Sequence, residues 1–257
     1  MKNRFTALVI LFFVLQLTTT IAQNKPDIIF QTSTIDALMN GIYDGPISLK
    51  DLKEKGNFGV GTYNGLDGEM ILLDGIFYKV DFSGKVIKMN LTTQSPFAAV
   101  TKFKADKKIS ASRLSFKELQ ELIDKNIPSN NLFYAIKVEG KFSYVKTRSV
   151  PKQQKPYPKL VEVTKNQAVF EFKDIKGTLV GIRTPELAKG INVPGYHLHF
   201  ISKDKTGGGH LLACDIENAE ILIDQKQDIL LSLPETKEFL DANFSKDTSE
   251  DIKKAEK

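Results

Sequence analysis

The chain has three histidines in 257 residues, and all of them fall in one short stretch: His197, His199 and His210. This spacing constrains the local fold more than any other feature of the sequence. Residues two apart on a strand share a face, so His197 and His199 project together while Tyr196, Leu198 and Phe200 face the other side. The polar, glycine-rich Ser202 to Gly209 reads as a hairpin loop that returns His210 on a strand roughly 4.8 Å away. The pattern predicts a strand, loop and strand on which three imidazoles converge.

A lone histidine on a strand is usually a hydrogen-bonded core residue. Three of them grouped this way read instead as a metal site. Three neutral imidazoles leave a divalent ion with open positions for water or substrate, the arrangement of a catalytic zinc. Manganese, iron, cobalt or nickel suit the same donors. The single cysteine, Cys214, shares the strand parity of His210 but lies about 13 Å further along it. It reads as a small buried residue.

Met1 to Gln23 places Lys2 and Arg4 before the apolar run Phe5 to Leu15 and a small-residue end at Ala22. This is the pattern of a secretory signal peptide, residues 1–22. The mature chain, residues 23–257, is then expected to be exported to the periplasm or the medium. One cysteine allows no intramolecular disulfide, so stability must come from a core. About 235 residues suffice for one large domain or two intimately packed lobes. The formal charge of +5 falls to +3 without Lys2 and Arg4, and the lysines are spread along the chain. That excess argues against a nucleic-acid partner, and no later apolar run suggests a membrane span after signal cleavage.

Short helices are expected at Ser33 to Met39 and at Ser48 to Lys55, the second capped by Ser48 and Asp51. Glu69 to Leu73 and Ile76 to Val80 are joined by the turn pair Asp74-Gly75, and Val86 to Met89 extends an antiparallel meander. Ser115 to Glu118 opens a capped amphipathic helix that must end before Pro128. Leu132 to Val138 and Phe142 to Thr147 read as a second hairpin across Glu139-Gly140. The proline-rich Pro151 to Pro158 reads as a crossover between lobes, near 149–160. Further strands are expected near 168–172, 179–182, 195–201, 210–216 and 219–223, and a short helix at Pro234 to Leu240. The tail from Asn243 onward is highly charged, a composition usually left to solvent.

Two other segments carry chemistry. Gly59 to Glu69 packs glycines, Thr62 and two acids into the entry to a strand. No helix pattern follows, so it is not a phosphate loop; it presents Glu69 at a strand start, as an acid or base if its surroundings raise its pKa. Arg148 ends an apolar-alternating strand. A surface ion pair is the ordinary role there, but beside a metal its planar fork can hold a carboxylate through two parallel hydrogen bonds.

Together, Gly61-Thr62-Tyr63-Asn64-Gly65-Leu66-Asp67-Gly68-Glu69, the segment Arg148 to Tyr157, and Gly195-Tyr196-His197-Leu198-His199 with His210 resemble the alpha-acetolactate decarboxylase family over nearly the whole mature chain. The resemblance implies decarboxylation of (S)-2-acetolactate to (R)-acetoin and carbon dioxide, with zinc on His197, His199 and His210 and no organic cofactor. It implies catalytic roles for Glu69, Arg148 and a C-terminal glutamate, placed at Glu256 with Glu250 as fallback, and puts Thr62 in the same pocket. It further implies an α/β (α+β) fold of two lobes, a mixed sheet and a smaller barrel-like sheet carrying the metal site, a homodimer, and an ordered tail strapped over the pocket. Metal bound to the ketone and hydroxyl oxygens would stabilise the enediolate left by carbon dioxide, and either glutamate would deliver the proton.

Three rival classes share the histidines. A secreted zinc hydratase or hydrolase would use a metal-bound hydroxide and has no need of an arginine. A non-enzymatic metal-binding or adhesion protein would have no need of the acids either. A cupin-type iron oxygenase wants a glutamate just after His199, where Phe200 to Thr206 offers only Asp204.

Overall fold

Caps and tight turns set the element boundaries in the first half of the chain. The computed structural model describes residues 27–256, so the expected signal peptide lies outside the described residues. β1 (Ile28–Thr32) leads into α1 (Ile35–Met39), which begins where the Thr34 hydroxyl accepts the Ala37 N–H. After the two-residue β2 (Ile47–Ser48), α2 (Leu49–Lys55) opens on a capping box in which Ser48 and Asp51 accept each other's backbone N–H. An N-cap of this kind is worth about 1 kcal/mol. β3 (Phe58–Thr62), β4 (Glu69–Leu73), β5 (Ile76–Val80) and β6 (Val86–Lys88) form the expected meander. Asp74 and Gly75 both take positive φ between β4 and β5, as a two-residue hairpin turn requires. β7 (Gln94–Ser95) pairs with β2, and β8 (Ala98–Thr101) returns to the main sheet.

The second half is built from long strands. β9 (Lys107–Ser115) runs into α3 (Phe116–Asn126), capped by the Ser115–Glu118 box and finished before Pro128. Then come β10 (Phe133–Ser149), α4 (Leu160–Val163), β11 (Ala168–Thr184), β12 (Gly195–Ser202), β13 (Gly208–Lys226), β14 (Asp228–Ser232), α5 (Lys237–Leu240) and α6 (Ser249–Ala255). Glu139-Gly140 is not a hairpin turn: β10 passes straight through it. Gly140 lies between Gly177 of β11 and Ala219 of β13, where a Cβ would stand 2.2 Å from the Asn218 carbonyl oxygen. Close approach, not reversal, demands the glycine. The strands expected at 168–172 and 179–182 are likewise one strand, β11, and those at 210–216 and 219–223 are both β13.

Seven strands form a mixed sheet in the order β14-β1-β8-β3-β4-β5-β6, with β1 and β14 parallel. β10, β11, β12 and β13 pair in turn, and β10 also pairs with β13, so these four close into a ring with β9 added outside β13. A mixed sheet beside a smaller barrel-like ring is the α+β architecture expected. The proline-rich segment does not cross between them, because the chain leaves β10 and re-enters the same ring as β11. Its route passes instead through α4, which packs with α1 and α6 in an apolar cluster containing Leu38, Leu66, Val150, Leu160 and Ile252.

Strand alternation decides where each side chain goes. Leu198 and Phe200 point into the ring interior with Phe142, Val145 and Leu211 under α3. Ile201, Val180 and Ile182 point out of the ring against Ile71, Leu73 and Val60 of the large sheet. His197 and His199 have the parity of Ile201. They therefore face the seam between the two sheets.

Because the ring closes on the row Gly177, Gly140 and Ala219, Gly140→Ala should lower the unfolding free energy by about 1–3 kcal/mol through overpacking. Urea denaturation should report a lower midpoint at unchanged slope; an unchanged midpoint would mean the ring tolerates the methyl group.

Candidate active site

The hairpin read from the histidines is present. β12 and β13 pair with His199 opposite His210, and His197 follows one pleat earlier on β12. The ligand nitrogens of the three rings lie within 4.8 Å of one another, and the Nε2 atoms of His197 and His199 are 3.2 Å apart. Tetrahedral zinc with Zn–N bonds near 2.0–2.1 Å sets its nitrogens about 3.3 Å apart. His199 Nδ1 is 2.8 Å from the Met70 carbonyl oxygen. It donates there, which leaves the Nε2 lone pair free and fixes the ring as an outer hydrogen bond does for a metal ligand. The donor set fits a divalent metal.

The loop between β3 and β4 supplies the first acid. Leu66 and Gly68 take positive φ, the Asn64 side chain bonds both backbone groups of Gly45 at 3.0 Å, and the Thr62 hydroxyl donates to Gly68 O at 2.7 Å. These bonds fold the loop back so that Leu66 enters the apolar cluster and Glu69 starts β4 facing the histidines. Glu69 Oε2 lies 3.5 Å from His199 Nε2. Arg148 reaches the same space from β10, where its backbone pairs with His210. Its guanidinium is buried and its Nε has no hydrogen-bond partner.

The charged tail is ordered. The Thr248 hydroxyl donates to the Asp36 carboxylate, Lys189 pairs with Asp247 at 3.2 Å, and Ile252 and Ala255 bury themselves beside α1 and α4. Glu256 follows. Its Oε2 lies 3.6 Å from His210 Nε2 and 3.8 Å from His197 Nε2, and its Oε1 lies 3.9 Å from an Arg148 nitrogen. Oε2 has no hydrogen-bond partner. Glu250 is on the outer side of α6, exposed and paired with Lys253 at 2.9 Å. Thr62, Glu69, Arg148, His197, His210 and Glu256 thus line one cavity, with His199 against Glu69.

The rest of the wall is apolar: Ile35, Leu38, Leu66, Phe97, Val150 and Leu160. Sequence reading did not select these residues, and nothing in their type or spacing separates them from ordinary core. Burial of the whole site controls protonation. It lowers the pKa of all three imidazoles, reinforced at His199 and His210 by neighbouring imidazoles and Arg148. Burial raises the Glu69 carboxyl to about 7, with Arg148 opposing and Glu256 adding to the shift. At neutral pH the imidazoles are neutral, as metal ligation requires.

The family model described as Alpha-acetolactate decarboxylase matches residues 29–246. The chain is 46% identical to alpha-acetolactate decarboxylase of Methanosarcina mazei over 92% of its length and 83% of that protein's. It is 43% identical to the Brevibacillus brevis enzyme of the same name, covering 90% and 81%. Among solved structures, the alpha-acetolactate decarboxylase of Bacillus subtilis strain 168 superposes with a TM-score of 0.87 at 39% identity, covering 89% of this chain and 99% of that one.

Burial of neutral imidazoles has a consequence for the metal-free protein. The unfolded chain protonates histidine near 6.5, whereas the folded chain does so only at lower pH. Below 6.5 the unfolded state holds more protons, so stability falls as pH drops. Glu69, raised in the folded state, works in the opposite direction between 4.5 and about 7 and offsets about one histidine. Urea titrations of chelated protein from pH 7.5 to 5 should therefore show a loss approaching about 1.4 kcal/mol per pH unit for each uncompensated proton. Replacing all three histidines with glutamine should abolish that loss and leave the opposite trend set by Glu69, stability rising as pH falls below about 7; a persisting loss would place its origin elsewhere.

Proposed function

This chain belongs to the alpha-acetolactate decarboxylase family, and on that premise we propose that it converts (S)-2-acetolactate to (R)-acetoin and carbon dioxide using zinc held by His197, His199 and His210. The observation that carries the reading is the meeting of three neutral imidazoles, a buried guanidinium whose Nε has no hydrogen-bond partner and two carboxyl groups around one apolar-walled cavity. Bound zinc would supply Lewis acidity to the substrate oxygens, stabilising the charge that loss of carbon dioxide leaves behind.

The chain's own residues then have separate tasks. Arg148 has a free Nε and a planar fork with which to take the substrate carboxylate through parallel hydrogen bonds. Held there, the carboxylate is oriented for departure. Glu69, whose carboxyl burial keeps protonated up to about 7, is the group we assign to hold the proton that the reacting carbon receives. A donor fixed at the start of β4 reaches one face of the substrate, which sets the handedness of the product. Glu256 stands beside His197 and His210. Thr62, committed to Gly68 O through its hydroxyl, contributes a wall. A hydratase working through a metal-bound hydroxide would leave Arg148 and this pair of acids without a task, so that alternative is not favoured.

The same reading includes export with residues 1–22 removed, residues 23–257 acting as one functional domain, and assembly as a homodimer. N-terminal sequencing of the secreted protein and sedimentation equilibrium test the first and last of these.

His199→Ala should lose metal and acetoin production together. Arg148→Ala should keep the metal and lose about 10²-fold or more in turnover. Acetoin formed from racemic 2-acetolactate, with metal content measured on each protein before chelation and after zinc return, checks both. Acetoin production that chelation leaves untouched would refute the zinc assignment, and a fully active Arg148→Ala would refute the carboxylate grip.

A further inference from the structure

The cavity at the three histidines has a volume of about 30 Å³. That is room for about two waters, too little for a five-carbon keto acid. Every residue lining it is buried except Glu256. A substrate therefore has to pass a wall, and that wall has one member in partial contact with solvent.

Beyond Glu256 lies a much larger space. A groove of about 500 Å³ runs between the start of α3, the outer ends of β12 and β13, and α6. Phe116, Tyr196, Leu211, Leu212 and Ile252 make it mainly apolar, while Lys117, Lys189 and Lys253 stand beside Glu186 along its rim. Among the described residues, Glu256 is the one that lines both the groove and the inner cavity. Its attachments are uneven. The start of the tail helix is tied down by the Thr248–Asp36 hydrogen bond and the Asp247–Lys189 ion pair. Its end is anchored by Ile252 and Ala255 in the apolar cluster and by the backbone bond from Glu256 N to Ile252 O, whereas the Glu256 carboxylate beyond it has one oxygen without a hydrogen-bond partner.

We propose that this groove is the entrance and first binding site for the substrate, a short keto acid anion, and that it opens onto the metal cavity when the Glu256 side chain swings aside. The inference rests on the decarboxylase reading above. Apolar walls suit the substrate's methyl groups, and the rim lysines suit its carboxylate. Return of Glu256 then excludes water from the reacting centre.

The chain contains no tryptophan, so a single introduced one both fills the groove and reports from it. Leu212→Trp on β13 and Gln120→Trp on α3 occupy opposite walls, and neither residue lines the metal cavity. In the full-length zinc-loaded protein, each change should lower kcat/KM for 2-acetolactate about tenfold or more while kcat and metal content stay near the parent's. Tryptophan emission should respond saturably to 2-hydroxy-2-methylbutanoate, which has no ketone and does not decarboxylate. Lys203→Trp, on a distant surface, serves as control and should change nothing. Unchanged kcat/KM in both groove variants would overturn the proposal, as would metal loss in both, which would assign those positions to the fold. An inactive parent protein would instead sink the decarboxylase reading itself.

Discussion

The hydrogen bond from His199 to the Met70 carbonyl is the point on which the rest of the site depends. It joins β12 of the ring to β4 of the large sheet, the two surfaces that meet in the central apolar seam. Met70 follows Glu69, so the bond that orients the His199 imidazole also sets the acid beside it. A shift of either sheet would misplace both. The seam is packed with Ile71, Val180, Ile182 and Ile201, and interiors of such density resist small displacements. Rigidity of the seam is thus what holds the geometry of a site assembled from strands far apart in sequence.

What could be read from sequence followed local rules. The i, i+2 histidine pair, the Asp74-Gly75 turn and the Ser48 and Ser115 capping boxes each depend on a few adjacent residues, and each is present. Gly140 misled because one residue type answers two demands, chain reversal and close approach of strands. Only the ring reveals which demand applied. β1 and β14 are short apolar runs whose parallel pairing has no local signature. The tail shows why composition fails at the other extreme. Ser249 to Ala255 reads as solvated charge, yet Ile252 and Ala255 lie three apart on one helix face and both are buried. Resemblance to a family pointed to Glu256, where charge pattern alone pointed to solvent. The Leu66, Val150 and Leu160 wall was hidden for the plainest reason, since an apolar residue facing a cavity and one facing core look alike in sequence.

Burial acts on the site with one hand and two signs. It disfavours the charged form of every group, so imidazoles lose their protons while the Glu69 carboxyl keeps its own. A single physical effect thereby sets imidazoles and acid in complementary states. The same burial leaves Arg148 Nε and Glu256 Oε2 without partners. An unsatisfied buried polar group costs about 1–3 kcal/mol. Both atoms belong to residues that line the cavity.

Closure of the ring also orders the history of the molecule. All three imidazoles belong to one hairpin, whose strands are neighbours in sequence, whereas Arg148 must find His210 from a strand on the far side of α4 and β11. Pairings between distant segments form slowly because loop closure precedes their reward. Topology therefore leads one to expect a nascent chain that forms its histidine hairpin early, gains its arginine later, and the tail glutamate last of all. A cell making this protein would hold, for a short interval on each chain, three imidazoles already grouped without the arginine and acids that complete the site.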